Sequence, residues 1–170
     1  KFADKTKKNY KNRFTFHNKK FSDLSKVADK KTKFDFIVFD LGISTMQIMD
    51  KDRGFSFNSN SSIDMRMGLN SISAQEVVNS FSQSTLNDIF KFFGEEKESF
   101  KISKNIIETR KKLPISNTIQ LANIIKKSKK RNFKSNINVS TKAFQALRIF
   151  VNKEFSELID GLIEATKLIK

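Results

Sequence analysis

Cysteine is absent from this sequence of 170 residues, and histidine occurs once, at His17. Without cysteine the chain cannot form disulfides, cysteine-rich zinc sites or thiol nucleophiles, and one histidine cannot form a histidine cluster for a metal. No apolar run approaches the roughly 18 residues that a membrane span needs. We therefore predict no metal site and no membrane insertion, and we expect a cytoplasmic protein.

Acidic residues are also few. The chain has 18 Asp and Glu against 33 Lys and Arg, a formal net charge of +15. Eleven basic residues and one acid, Glu108, fall between Lys101 and Lys134. So basic a span indicates a polyanionic partner such as nucleic acid. A composition rich in Lys, Asn, Ile, Ser and Phe could also reflect a biased genome, so charge alone leaves both interpretations open.

Two segments near the N-terminus have strand patterns. Residues 12–18 alternate apolar and polar side chains, and residues 35–41 form a nearly continuous apolar run, typical of a strand covered on both faces. A short helix is predicted between them, over residues 21–31. Strand, helix and strand at this spacing predict one unit of a doubly wound α/β sheet.

After residue 67 the pattern is helical. Helices are predicted over residues 73–81, 84–94, 96–112 and 117–127, with Ser84 as an N-cap, Gly94 as a C-terminal stop and Pro114 ending the third. One long helix is predicted from Thr141, behind the cap Ser140, because a single apolar stripe continues towards the C-terminus. We read that stripe as core.

Residues 34–57 raise the question of chemistry. Asp40 is the last residue but one of the predicted strand, and Gly42, Ser44, Thr45 and Gln47 follow the strand at once. In open α/β sheets ligands bind at the carboxyl ends of strands, and these polar groups suit an amino acid or a nucleobase edge. Alternatively, Asp40 caps the following turn and the polar side chains only satisfy local backbone groups. Periodicity does not decide between them.

Several motifs carry a family resemblance. In chain order they are DFIVFDLGIST with Gln47 two residues on, DRGFSF, IDMRM, FGEE and TKAFQALRIFVNKE. Together they resemble the cytosine-N4 methyltransferases of bacterial small-subunit (16S) ribosomal RNA. The resemblance implies a partial Rossmann-like α/β methyltransferase domain with a mostly helical insertion, and S-adenosyl-L-methionine as cofactor. It also implies a partner in small-subunit rRNA or the ribosomal subunit; a homodimer is an open possibility.

The same resemblance suggests a division of the chain. Residues 1–70 would belong to the sheet domain, residues 71–140 to the insertion, which we expect to recognise RNA, and residues 141–170 to the long helix returning to the sheet domain. The family's glycine-rich loop and the acid after its second strand would precede Lys1, and its later strands would follow Lys170. We therefore expect a central segment of the enzyme that by itself binds cofactor weakly or not at all.

Three cofactor contacts are implied by the resemblance: Phe21, Asp40 and Gln47. Phe21 would pack on the adenine face, although a core aromatic is an equal alternative. Asp40 and Gln47 would order the methionine end or the target amine, and Asp40 is the implied catalytic residue. The sequence departs from the family at Met46, where proline is frequent, and at Gly68, where a second aspartate is usual; these departures affect the expected loop geometry.

RNA contacts are expected in two places. Arg53, Arg66 and Arg148 lie inside the motifs, where each could hold a phosphate or the flipped base. Alternatively, an arginine beside Asp50, Asp52 or Asp64 forms a structural ion pair. The basic segment 126–134 is expected to contact the RNA backbone, because lysines bring charge without a rigid fork. Its predicted contacts are Lys126, Lys127, Lys129 and Lys130.

The missing cysteine agrees with the resemblance on one point. Methylation at carbon 5 of a pyrimidine needs a covalent nucleophile, normally cysteine, whereas an exocyclic amine needs only alignment and a hydrogen-bond acceptor. Either Asp40 or the backbone carbonyls just after it could be that acceptor. Three classes of function therefore stay open: a segment of an RNA methyltransferase, a basic helical RNA-binding module without catalysis, and a structural ribosome-associated protein.

Overall fold

A computed structural model of the chain describes residues 2–10, 13–28, 32–68, 72–129 and 138–170. They fall into two units: residues 1–40 together with 155–170, and residues 41–154. Among the described residues, no helix is long and apolar enough to cross a membrane, and no cluster of histidine and carboxylate side chains could hold a metal ion.

The first unit contains short helices and the C-terminal part of the chain. Its helices are α1 (Phe2–Tyr10), α2 (Leu24–Val27) after a 3-10 turn at Phe21–Asp23, and all but the first residue of α9 (Glu154–Thr166). Glu157 of α9 accepts hydrogen bonds from Lys20 at 3.0 Å and Ser22 at 2.9 Å. Burial by itself would raise the pKa of Glu157, but the charge of Lys20 and the hydrogen bonds from Lys20 and Ser22 together hold that pKa below its ordinary value.

Neither predicted strand is formed in the described residues, so they do not confirm the α/β class. Residues 13–18 and 35–41 have no strand assignment, and the one parallel bridge joins Phe34 to Ile169. Phe36 and Val38 are 87% and 89% exposed, although the apolar run predicted burial on both faces. The physical reason is that a strand needs a neighbour to exchange backbone hydrogen bonds, which a local pattern cannot supply.

The second unit is helical around one hydrophobic core. Its helices are α3 (Thr45–Met49), α4 (Ala74–Ser80), α5 (Gln83–Asp88), α6 (Ser99–Arg110), α7 (Thr118–Ser128) and α8 (Thr141–Asn152). A π-helical turn, Ile89–Phe93, continues α5. α6 packs against both α5 and α7, α8 packs against the π-helical turn, and α4 contacts α6 and α8. The core includes Leu86, Phe90, Ile106, Leu121 and Leu147, all fully buried.

Helix ends in this unit follow the capping rules, with one shift. Ser82, not the predicted Ser84, caps α5 by accepting a hydrogen bond from the Thr85 N–H at 3.1 Å. Asn117 caps α7 in the same way. Gly94 follows the π-helical turn as predicted, and a Cβ there would lie 2.7 Å from the Lys142 carbonyl oxygen. The close approach of α8 therefore requires a residue without a side chain.

The single long helix predicted from Thr141 is wrong. α8 ends at Asn152, Lys153 has φ 51° in the left-handed region, and α9 begins at Glu154. The apolar stripe is buried only in α8: Leu147 is fully buried, whereas Phe155 and Leu162 of α9 are 49% and 47% exposed. Apolar periodicity was continuous across the break, and one left-handed residue interrupts the helix without changing that pattern.

Candidate functional site

A closed loop carries the DRGFSF and IDMRM motifs. The Met65 N–H donates to the Arg53 carbonyl oxygen at 2.8 Å. Gly54 has φ 71°, and a Cβ there would collide with the Ser62 carbonyl oxygen and lie 2.9 Å from the Asp64 nitrogen. Both the left-handed backbone and this approach require glycine. The loop therefore brings the two motifs together through close backbone contacts.

Asn152, at the end of α8, holds the second of these motifs. It is 8% exposed. Its Nδ2 donates to the carbonyl oxygens of Met65 at 2.7 Å and Arg148 at 2.8 Å, and its Oδ1 accepts from the Met67 N–H at 2.6 Å. Met65 has φ 58° and is 1% exposed. A strained backbone of this kind persists only where surrounding contacts fix it, and Asn152 supplies them.

A small pocket of about 150 Å³ lies where these segments meet α8. Its lining residues are Ile43, Phe55, Phe57, Met65, Thr141, Phe144, Gln145 and Arg148. The Phe57 and Phe144 rings meet edge to face at 5.9 Å. Apolar and aromatic walls with a hydroxyl, an amide and a guanidinium form the kind of pocket that orients a small planar polar group. We call this the motif pocket.

The three motif arginines have partners within the protein. Arg148 forms a bidentate pair with Glu154 at 2.7 and 3.0 Å, and Arg66 forms one with Asp64 at 2.5 and 3.2 Å. Arg53 donates to the Arg66 carbonyl oxygen at 2.6 Å and lies over the Phe55 ring. The predicted ion-pair alternative is thus confirmed for Arg66 with Asp64. The pair of Arg148 with Glu154 was not predicted. An RNA contact by any of the three stays a prediction.

The Asp64–Arg66 pair has an electrostatic consequence. The hydrogen bond from the Arg66 side chain lowers the pKa of Asp64 below 3.8, against the smaller opposing effect of burial. Asp64 is therefore ionised at neutral pH, and its pair with Arg66 contributes to the loop under those conditions.

The polar residues after the predicted strand divide into two groups. Ser44 caps α3 in a capping box: its Oγ accepts from the Gln47 N–H, and its own N–H donates to Gln47 Oε1 at 2.9 Å. The S-x-x-Q spacing could have predicted this helix. Asp40 is not the cap; its carboxylate is exposed and makes no hydrogen bond or ion pair with any described residue. Local backbone bonding is confirmed for Ser44 and Gln47, and not for Asp40.

The surroundings of Phe21 fit in part both interpretations of this residue, as a core aromatic and as a contact to adenine. Its ring meets the edge of Phe39 at 5.2 Å, and Gly161 leaves room for it, since a Cβ there would lie 2.7 Å from Phe21 Cβ. The side chain still exposes 38% of its surface. Phe21 and Asp40 belong to the first unit and Gln47 to the second. Cofactor binding by these three residues stays a prediction.

The predicted RNA-binding lysines differ in their surroundings. Lys126 and Lys127 are exposed near the end of α7. The Lys129 side chain is 14% exposed, pairs with the buried Glu96 and donates to the Val139 carbonyl oxygen. A buried pair of this kind holds its partners in place, and the charge pattern did not reveal it. Lys130 lies outside the described residues. RNA contacts by the exposed Lys126 and Lys127 stay a prediction.

The segments that carry the family resemblance thus form the motif pocket and the closed loop. They also supply Asn152, whose hydrogen bonds hold the IDMRM motif against α8; we call this arrangement the clamp. Comparison with known proteins shows that the chain belongs to the MraW methylase family, whose model matches residues 1–170.

Curated relatives are named ribosomal RNA small subunit methyltransferase H. The protein of Orientia tsutsugamushi (strain Ikeda) is 45% identical over 94% of this chain and 52% of its own length. Those of Ehrlichia canis (strain Jake) and Rickettsia africae (strain ESF-5) are 42% and 41% identical, over 99% and 100% of this chain and 58% and 55% of theirs. The chain spans about half the length of the curated relatives it matches.

Proposed function

We propose that this chain is part of an S-adenosylmethionine-dependent methyltransferase that acts on the N4 amine of a cytidine in small-subunit ribosomal RNA. The observation that carries the proposal is the motif pocket. Four of the five family motifs meet in its lining: DFIVFDLGIST supplies Ile43, DRGFSF supplies Phe55 and Phe57, IDMRM supplies Met65, and TKAFQALRIFVNKE supplies Phe144 and three polar groups.

The motif pocket suits a pyrimidine in chemistry. Its aromatic walls can pack on the flat faces of a base, as aromatic side chains do with unstacked bases in RNA recognition. Gln145 offers both a donor and an acceptor, as cytosine does along its amine and ring-nitrogen edge. Thr141 adds a hydroxyl that can serve as either. We propose that these groups hold the target base once it has left its stack.

The residues that would hold the cofactor fit it in part. Phe21 exposes ring surface on which an adenine can pack, and the Asp40 carboxylate, which has no partner among the described residues, can accept from hydroxyl or ammonium groups. Gln47 uses its Oε1 in the capping box, which leaves its Nε2 to donate. When bound, S-adenosylmethionine supplies an electrophilic methyl group.

The amine of cytosine is a weak nucleophile because its lone pair is delocalised into the ring. The protein must therefore align the amine and offer an acceptor to its hydrogens as positive charge develops. We propose Asp40 as that acceptor. Since no described residue pairs with its carboxylate, no ion pair within that part of the chain has to break before it acts.

The test is Asp40→Ala in the full-length protein. Turnover should fall by at least about 10²-fold, the usual cost of losing one preorganised polar contact to a transition state. Asp160→Ala is the matched control, because Asp160 is also an exposed carboxylate of the first unit. Unchanged turnover, or a fall explained by a lost thermal transition, would contradict the assignment.

Nucleoside digestion of the product RNA should give N4-methylcytidine; methylation at carbon 5 would refute the proposed target atom.

A second candidate function is a basic helical RNA-binding module without catalysis, favoured by the basic span between Lys101 and Lys134. RNA affinity should then depend steeply on salt. Replacing Lys126 and Lys127 with Ala should reduce the slope of log K against log salt by about 0.7 for each phosphate of single-stranded RNA that is no longer neutralised. Lys97→Ala, an exposed lysine outside that span, is the control. RNA binding by the full-length protein with no methyl transfer would favour this second function.

A further inference from the structure

A second groove lies between α6 and α7, within the second unit. Its volume is about 520 Å³, and its lining includes Glu108, Lys112, Leu113, Gln120, Asn123 and Lys127. Asn105 of α6 donates to Ser128 of α7 at 2.8 Å, which joins the two helices at one end. None of these residues lines the motif pocket. We call it the interhelix groove.

Asn105 and Thr109 of the groove lining are hydrogen-bonded within the protein, but other polar groups of the interhelix groove are unused by its described part. Gln120 Oε1 accepts from the Ser116 N–H at 2.9 Å and hydroxyl at 3.1 Å, so its Nε2 is left to donate. The Asn123 side chain makes no hydrogen bond to any described residue. Glu108 has only an exposed, 3.8 Å pairing with Lys104, which contributes little. One acceptor-only carboxylate and two amide donors therefore face the groove.

The remaining lining fits a nucleotide. Leu113 exposes 63% of its surface at the groove, an apolar platform for a base. Lys112 and Lys127 are exposed, and neither ammonium pairs with a described carboxylate, so both can contact phosphates. Glu108 is the single acid of the basic span between Lys101 and Lys134. A lone carboxylate opposes phosphate binding unless it has a donor of its own to accept from.

Guanine matches this set of groups best. Its Watson–Crick edge carries two adjacent donors, at N1 and N2, which a carboxylate can accept together, and an acceptor, O6, which an amide can donate to. Uracil presents one donor between two carbonyl acceptors, and adenine places an acceptor beside its amine. We propose that the interhelix groove binds one unpaired guanine nucleotide of the RNA substrate. The proposal rests on the proposed function in taking RNA as the ligand.

The test compares two single-stranded RNAs by fluorescence anisotropy: a uridine-only strand and the same strand with one central guanosine. The chain should bind the guanosine strand about 10-fold more tightly, as expected for a bidentate contact to a base. Glu108→Gln should abolish that preference by weakening the guanosine complex, while binding of the uridine strand stays equal or becomes slightly tighter. Asn123→Ala should reduce the preference by about 3-fold.

The sign of the effect separates the proposal from a simple surface charge. A carboxylate that only repels RNA would, when neutralised, let both strands bind more tightly in equal proportion, and that result would overturn the proposal. Equal binding of the two strands by the unaltered chain would overturn it as well. Asp88→Asn removes the same charge from an exposed site outside the groove and should leave the preference intact. Glu108 and Asn123 are exposed, so both variants should keep the thermal transition of the parent chain.

Cytosine is left out of both strands so that this result is independent of the motif pocket. If the guanosine preference fails while the full-length protein still methylates cytidine in RNA, only the groove assignment is wrong. If the preference for guanosine holds but no methyl transfer is detected, the groove assignment is right and the chain is an RNA-binding module that recognises guanine.

Discussion

The two units of this chain differ in how far they bury similar apolar segments. In residues 41–154 the apolar faces of α4 to α8 close over a common core, and Val77, Ile102 and Ile125 are fully buried. In the first unit the apolar run at 35–40 and the α9 part of the predicted stripe stay largely exposed, with Phe36 at 87% and Phe155 at 49%. The sequence alone suggested burial for both.

The difference shows how far local patterns reach. A helix satisfies its backbone hydrogen bonds within itself, so α4 to α8 require from elsewhere only a surface for one stripe. An extended segment requires a neighbour for every backbone group that it pairs. In the described residues of the first unit that neighbour is limited to one bridge, at Phe34 and Ile169.

The strongest test of this comparison is a pair of leucine truncations in α8 and α9. Leu147→Ala should lower the free energy of unfolding by about 3 to 5 kcal/mol, because the side chain is fully buried and its removal leaves a cavity. Leu162→Ala, 47% exposed, should cost under about 1 kcal/mol. Denaturant unfolding followed by circular dichroism measures both. Equal costs would mean that the stripe of α9 is buried in solution.

Two glycines sharpen the comparison within the second unit. Both have positive φ, but a Cβ at Gly54 would meet backbone atoms, whereas a Cβ at Gly42 would have nothing within 4 Å. Gly54→Ala should therefore destabilise the protein by about 3 kcal/mol, against about 1 kcal/mol of backbone strain alone for Gly42→Ala. Thermal denaturation distinguishes these values. A mild Gly54→Ala variant would show that the closed loop can relax.

Asn152→Ala tests the clamp between α8 and the IDMRM motif. Losing its bonds leaves Met67 N–H and Met65 carbonyl groups without that partner and should cost about 2 kcal/mol. Asn123→Ala is the control, since that exposed amide makes no bond to a described residue. Hydrogen exchange should accelerate at the Met67 amide in the Asn152 variant. An unchanged rate there would argue that other contacts hold Met65 in its left-handed conformation.

The smallest expected effect is the pH dependence of the Asp64–Arg66 pair. Because the folded pKa of Asp64 lies below its ordinary value of 3.8, the stabilisation is complete above the unfolded pKa and is lost as pH falls through the folded one. Asp64→Asn should lower the unfolding free energy by less than about 1 kcal/mol at neutral pH, since the pair is partly exposed. The two proteins should converge in stability at low pH. A constant difference would assign the effect to packing.

Much of the second unit could be predicted from local signals. The helices near 73–81 and 117–127, the stop at Gly94 and the end of α6 before Pro114 follow from capping, glycine and proline rules. Boundaries moved where a nearby hydroxyl competed, as Ser82 replaced Ser84 as the cap of α5. The candidate site was less accessible: sequence motifs located Phe55, Met65 and Arg148, but Asn152 carried no pattern that distinguished it as the clamp.

The sequence by itself determined the family, the basic character, the helices of residues 72–129 and the candidate residues Asp40 and Arg148. These depend on composition, on motif order and on hydrogen bonds between residues three to five apart. Only the tertiary structure decided that Lys129 pairs with Glu96, that Lys153 divides the last helix, and that 35–41 stays exposed. Each of these outcomes depends either on contacts between residues distant along the chain or on a single backbone angle. Contacts and angles of this kind produce no periodic pattern in the amino-acid sequence.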